Sequence, residues 1–376
     1  MKSLAERVAA YKPNPLLAGL GSIWPLAAGI AVAVLIQTVV GPALGPVYSR
    51  LLLEIGIAIV LAVSLNVVNG FAGQFSIGHA GFMMIGGYAA SWLTYYGSIK
   101  IFGAATISGL QVVRYGGFLG AGDLLFLASC VVGATLAAVA GIIVGLPSLR
   151  LRGDYLAIVT LGFGEIVRAL VQQTDTVLYP DEVAGKPMLA LVDNVGGALG
   201  FGDVPRYTTL FYVYLFVVIL LIAAYRLKTS TKGRALLAVR ENEIAAEAMG
   251  INATRAKVAA FILAAFFAGI GGALFAHEPG TQLNPRELGF QKSIDIVIMV
   301  VLGGMGSITG VVAAAAILTV LPELFREFSE YRMIVYALAL IIVMILRPQG
   351  LLGIKELWDL QGWHRLTARL RRKDAP

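Results

Sequence analysis

Charge is what this chain has least of. Only 14% of its 376 residues are Asp, Glu, Lys or Arg, where a soluble domain carries about 25%. With 58% hydrophobic residues and a mean hydropathy of +0.81, there is too little polar side chain to cover the apolar surface in water. That excludes an ordinary soluble domain and makes an integral membrane protein the direct reading. Thiols and imidazoles are equally scarce. The one cysteine, Cys130, lies in an apolar run, which rules out an intrachain disulfide and a thiolate metal site. His79, His277 and His364 are scattered, against the cluster of His, Asp or Glu that a membrane enzyme needs at one membrane face. No Walker A pattern, no GxGxxG after a strand and no HExxH occurs. If ATP drives this chain, another chain binds it.

What is present is glycine, 44 residues of it, and long apolar runs. Small residues let helices approach closely in lipid. Apolar segments near bilayer length fall at about 23–42, 51–69, 78–96, 123–146, 154–172, 207–226, 257–277, 308–325 and 331–347. A tenth, 290–303, reaches only about 21 Å against a hydrocarbon core of about 30 Å, and runs into "GGMGS". The expected class is therefore all-α and polytopic, with about ten crossings (range 8–10). The run from Ile23 is longer than a signal-peptide core and is expected to stay as an uncleaved first helix.

Net charge is +7, and the basic residues sit in loops and tails. This marks topology rather than a nucleic-acid site. The N-terminal tail (1–22), "RLRG" (150–153), the 227–256 loop and the tail 354–376 are all basic and are assigned to the cytoplasmic side. Both termini then lie inside, and 23–353 forms the membrane domain. Even crossing numbers require 290–325 to be a broken pair rather than one helix. The 173–206 loop is acidic and is assigned outside; 97–122 is external, glycine-rich and not obviously helical.

Three groups of residues could carry function. In "GRALLAVRENEIAAEAMGIN", Arg240, Glu241, Asn242, Glu243, Ile244, Ala245, Ala246, Glu247, Ala248, Met249 and Gly250 spell a short helix capped by Asn242 and stopped by Gly250. Its apolar patch (Ile244 with Ala248, Ala245 with Met249) suits a groove on a partner, or the helix is simply a solvated loop element. A second group interrupts the apolar pattern: Asn66, Asn69, Gln74, Ser76, Gly78 and His79. It reads either as a broken helix beside a substrate path or as a tight turn before a glycine-faced helix. The third comprises Glu54, Glu165, Arg168 and Asp295, ionisable residues at membrane depth. Each is expected to face the bundle interior or a pore, with Glu165 and Arg168 paired at i,i+3 and Asp295 near the outer end of the short segment.

The motifs "FSIGHAGFMMIGGYAA", "TLGFGEIVR", "VVLGGMGSITG" and "RPQGLLG", together with the short charged helix, resemble permease subunits of branched-chain amino-acid ABC importers of the LivM type, in order from about residue 51 to 353. The resemblance implies a translocation subunit in the bacterial inner membrane. It implies a second homologous permease, two ABC ATPase subunits that bind ATP and Mg in place of this chain, and a periplasmic substrate-binding protein. Arg240 to Gly250 would dock the ATPase, while Asn66, Gln74, Ser76, Gly78, His79 and Glu165 are candidates for the substrate path. The sequence departs from the importer pattern at Ile244, where a glutamate is usual, and in "VGGALG" (195–200), where Val195 replaces threonine. Relatives for urea, amides or other small solutes, and an ion-coupled transporter, are the competing readings.

Overall fold

The protein is described here from a computed structural model covering residues 15–108, 111–148, 155–183, 185–325, 337–338, 341, 345, 350–351, 353 and 356. Helices dominate: α1 (Pro15–Leu35), α2 (Gly41–Asn66), α3 (His79–Phe102), α4 (Ala121–Ser148), α5 (Tyr155–Gln172), α6 (Leu210–Thr229), α7 (Thr231–Glu241), α8 (Glu243–Ala248), α9 (Ala253–Ala276), α10 (Phe290–Gly303) and α11 (Ile308–Leu324). The all-α, multi-pass membrane architecture holds. The 331–347 span, "RLRG" and most of both tails lie outside the described residues.

α1 and α2 flank α6 in opposite directions. Gly29 sits against Val218 and Gly41 against Leu210, whereas the Tyr214 hydroxyl donates to the Leu52 carbonyl at 3.3 Å and the Lys228 ammonium stands over the Phe71 ring. The chain reverses at Gly45, whose φ of 78° lies in the left-handed region that glycine enters without strain. Two crossings therefore come from what is nearly one continuous run of apolar helix.

The centre is built from α3, α4 and α9, and glycine lets them meet backbone to backbone. A Cβ on Gly86 would lie 2.3 Å from Gly269 Cα, and one on Gly133 would lie 2.5 Å from the Gly86 carbonyl. Such contact replaces side-chain packing where lipid supplies no hydrophobic drive between helices. Large apolar side chains such as Val131, Ile143, Ile158 and Ile166 point outward, as a lipid-facing surface requires.

The broken pair expected at 290–325 is present as α10 and α11, separated by a turn at 304–307 in which Gly304 and Gly306 have φ of 100° and 93°. Leu351 returns to this turn, its N–H donating to the Leu302 carbonyl at 2.8 Å. The 97–122 stretch differs in part from expectation. α3 continues to Phe102, because Tyr95 and Tyr96 in its last turns are buried and bonded to the long loop that follows α5. A two-stranded hairpin (Ile107–Ser108 with Gln111–Val112) then leads to α4. Asp123 anchors this insertion: it pairs with Arg114 at 2.6 Å and accepts from the Tyr212 hydroxyl at 2.7 Å.

Candidate functional site

Polar groups collect at the two ends of the bundle. At the end bearing the basic 227–256 loop, the Ser230 hydroxyl accepts from Gly233 N–H and starts α7. Asn242 closes α7 and caps α8, its side chain accepting from Ala245 N–H at 3.0 Å. Gly250, at φ 84°, stops α8, and Asn252 caps α9. Glu243 is pinned to Lys257 on α9 at 2.7 Å, and Ala246 is buried beside Val239 and Ala253. One face of α8 is thus fastened down. The other is free: Ile244 is 70% and Met249 83% exposed, with Ala245, Glu247 and Ala248 exposed beside them. Glu241 is held by Arg240 at 3.0 Å, so of the three glutamates only Glu247 has no ion-pair partner among the described residues.

Arg240 also donates to the Gly70 carbonyl at 2.8 Å, tying this loop to the π-helical turn Val67–Phe71 that ends α2. Beside it the 304–307 turn is held by several hydrogen bonds. Asn66 accepts from Gly306 N–H at 2.8 Å and donates to the Ser307 carbonyl at 3.0 Å; Lys228 donates to the Gly306 carbonyl at 2.8 Å and pairs with Glu356. Glu356 accepts from the N–H groups of Ile308 and Thr309, capping α11. Burial acts to raise its carboxyl pKa, but the bonds from Ile308, Lys228 and Thr309 outweigh it and hold the group below its usual range.

At the opposite end, a cavity of about 420 Å³ opens between α2, the loop after α9, α10 and α11. Arg50, Glu54, Glu278, Lys292 and Asp295 line it, together with Ile57, Leu61, Ile296 and Met299. Arg50 pairs with Glu54 at 3.2 Å, and the Lys292 ammonium stands over the Phe275 ring. Glu278 is only 2% exposed, and its Oε1 has no hydrogen-bond partner among the described residues. Burial pushes its carboxyl up to about 7; Glu54 adds to the rise, while Arg50, the Thr281 hydroxyl and Lys292 oppose it.

A family model for the permease component of branched-chain amino acid transport systems matches residues 47–344. The chain belongs to this permease family. It is 37% identical over 313 residues to the high-affinity branched-chain amino acid transport permease LivM of Escherichia coli K12, covering 79% of this chain and 68% of that protein. Similarity to LivH of Salmonella typhimurium LT2 is 27% over 301 residues, with coverages of 79% and 91%. The galactose/methyl galactoside import permease MglC of Haemophilus influenzae is 28% identical over 210 residues, with coverages of 53% and 57%. No solved structure matches.

In this permease Asn66, Asn69 and His79 are committed to bonds within the protein. Asn66 holds the 304–307 turn. Asn69 accepts from Ser76 N–H at 3.1 Å, His79 shares a hydrogen bond with Ser64 at 2.8 Å, and Gly78 lies where a Cβ would strike the Thr160 carbonyl. Gln74 is buried, with its Oε1 unpartnered among the described residues. In the non-helical segment 72–78, Ala72, Gln74, Ser76 and Gly78 are buried in protein, whereas Gly73 and Phe75 are exposed. Glu165 pairs with Arg168 at 2.6 Å and accepts from Phe290 N–H, fixing the start of α10 beside a narrow crevice that Ile77, Gly81 and Ser293 also line. Glu54 and Asp295, apart in sequence, meet at the 420 Å³ cavity. Asp295 is half-buried there and accepts from Gln291.

Proposed function

We propose that this permease forms one half of the membrane pathway of an ATP-driven importer of branched-chain amino acids in the bacterial inner membrane. A second homologous permease completes the pathway. Two ATPase subunits bind the nucleotide, and a periplasmic binding protein delivers the substrate to the end that carries the cavity. The observation that carries the reading is α8: a capped helix, clamped on one face and presenting Ile244, Ala245, Ala248 and Met249 on the other. A solvated loop helix has no need of that rigidity, whereas a helix seated in a groove of an ATPase does. Arg240, Glu243 and their partners pass its displacement to α2 and α9, so nucleotide-driven closure can rock the bundle between two accessible states.

Co-purification tests this. The chain, expressed with its ATPase and partner permease, is expected to capture the ATPase; the Ala245→Glu, Ala248→Glu double variant should elute as the same folded membrane species without it. Both positions face outward, so the fold tolerates the change while a groove does not accept two added carboxylates. Undiminished ATPase capture by the double variant would remove α8 from the coupling role.

A further inference from the structure

The 420 Å³ cavity falls in the size range of small-molecule sites, about 300–1,000 Å³, and its walls are segregated by chemistry. Its mouth carries both signs: Arg50 from α2 and Lys292 from α10 against Glu54, Glu278, Glu287 and Asp295. Along α2 and α10 the lining then turns apolar, through Ile57, Ala58 and Leu61 on one side and Ile296 and Met299 on the other. The acidic group is not idle surface charge. Glu278 is buried and its Oε1 is unsatisfied among the described residues, an arrangement that costs free energy until a donor arrives. Among the described residues its other oxygen has only a 3.5 Å contact with the Thr281 hydroxyl. Close by, Lys292 is held over an aromatic face and forms no ion pair within 4 Å among the described residues, an ammonium ready for an anionic oxygen.

We infer that this cavity is a binding station for the α-amino and α-carboxylate groups of an aliphatic amino acid. Glu278, helped by Asp295, receives the ammonium, and Lys292 with Arg50 receives the carboxylate. The side chain lies against Ile57, Leu61, Ile296 and Met299. A zwitterion satisfies both signs at once, whereas an aliphatic acid or amine would leave one of them unpaired. This inference rests on the permease reading above and adds to it a place and a chemical class.

The lone cysteine makes a direct test available. In the assembled complex carrying Cys130→Ala and Thr281→Cys, leucine should slow modification of the new thiol by a cationic methanethiosulfonate. Isocaproate and isoamylamine, each lacking one charged group, should not. Adding Glu278→Gln should raise the leucine concentration needed for protection by about tenfold or more, the loss of one charge-assisted hydrogen bond, and Glu278→Asp should restore part of it. Leucine uptake is measured in the same proteoliposomes. Uptake without protection, or protection unchanged by Glu278→Gln, would overturn the station and leave the permease reading standing. An assembled complex that takes up no leucine would overturn both.

Discussion

At the scale of single residues, Glu278 makes the sharpest claim. Its carboxyl is pushed up to about 7 in the folded protein, chiefly by burial and further by Glu54, with Arg50, the Thr281 hydroxyl and Lys292 pulling the other way; Glu287 and Asp295 complete the ionisable lining of the cavity. A folded-state value above the unfolded one means that the neutral form favours folding. That contribution is complete below the unfolded carboxylate value and is lost as pH rises through about 7. Stability of the empty complex should therefore fall between pH 5 and 7 more in the native chain than in Glu278→Gln, read by thermal unfolding in detergent. Leucine protection should run the opposite way, strengthening as the carboxylate ionises toward pH 8 and losing that dependence in Glu278→Gln. Parallel trends in the two curves would contradict the assignment.

Among helices, the decisive contact is the meeting of α3, α4 and α9 at Gly86, Gly133 and Gly269. Adding one methyl group at Gly86 drives it into the backbone of α9, which cannot rotate aside as a side chain can. Gly86→Ala should destabilise by about 1–3 kcal/mol or more, measured as a lower unfolding temperature by tryptophan fluorescence. Gly117→Ala, where nothing lies within 4 Å, should leave that temperature unchanged. This level was well legible in the sequence. Apolar runs of bilayer length gave the helices, and the shortness of 290–303 together with "GGMGS" gave the break before α11. The cap at Asn242 and the stop at Gly250 followed from local rules that need no tertiary context. The sequence was less informative where tertiary bonds decide the outcome. Whether 66–79 lines a path or is packed away depends on partners such as Ser307 and Thr160, more than eighty residues distant.

For the whole molecule, the parts invisible in the sequence are those assembled from distant segments. Arg50, Glu278 and Lys292 come from three elements, and none carries a local motif. Glu356 lies in a tail read as basic, yet it is buried at the root of α11 and bonded to Lys228 of α6. Removing it should therefore do more than alter a tail. Glu356→Ala removes the acceptor of the Ile308 and Thr309 N–H groups and the ion-pair partner of Lys228, which keeps its bond to Gly306, and should cost about 1–3 kcal/mol. That loss would appear as a lower unfolding temperature, with ATPase capture retained because α8 is untouched. Equal stability of the variant would show that the 304–307 turn holds without its carboxylate.

The bond from Arg240 to Gly70 has a mechanical meaning. Gly70 terminates a helical run that reaches back to Pro46, about 35 Å of rod at the usual rise per residue, and Arg50 and Glu54 stand near its far end. A rod of that length turns angle into distance. A tilt of about 5° imposed at Gly70 would shift the far end by about 3 Å, carrying Arg50 and Glu54 together past the charged groups on the other walls of the cavity, Glu278, Lys292 and Asp295. A push too small to unpack a single core side chain on one side of the bilayer would be large enough, on the other, to make or break an ion pair.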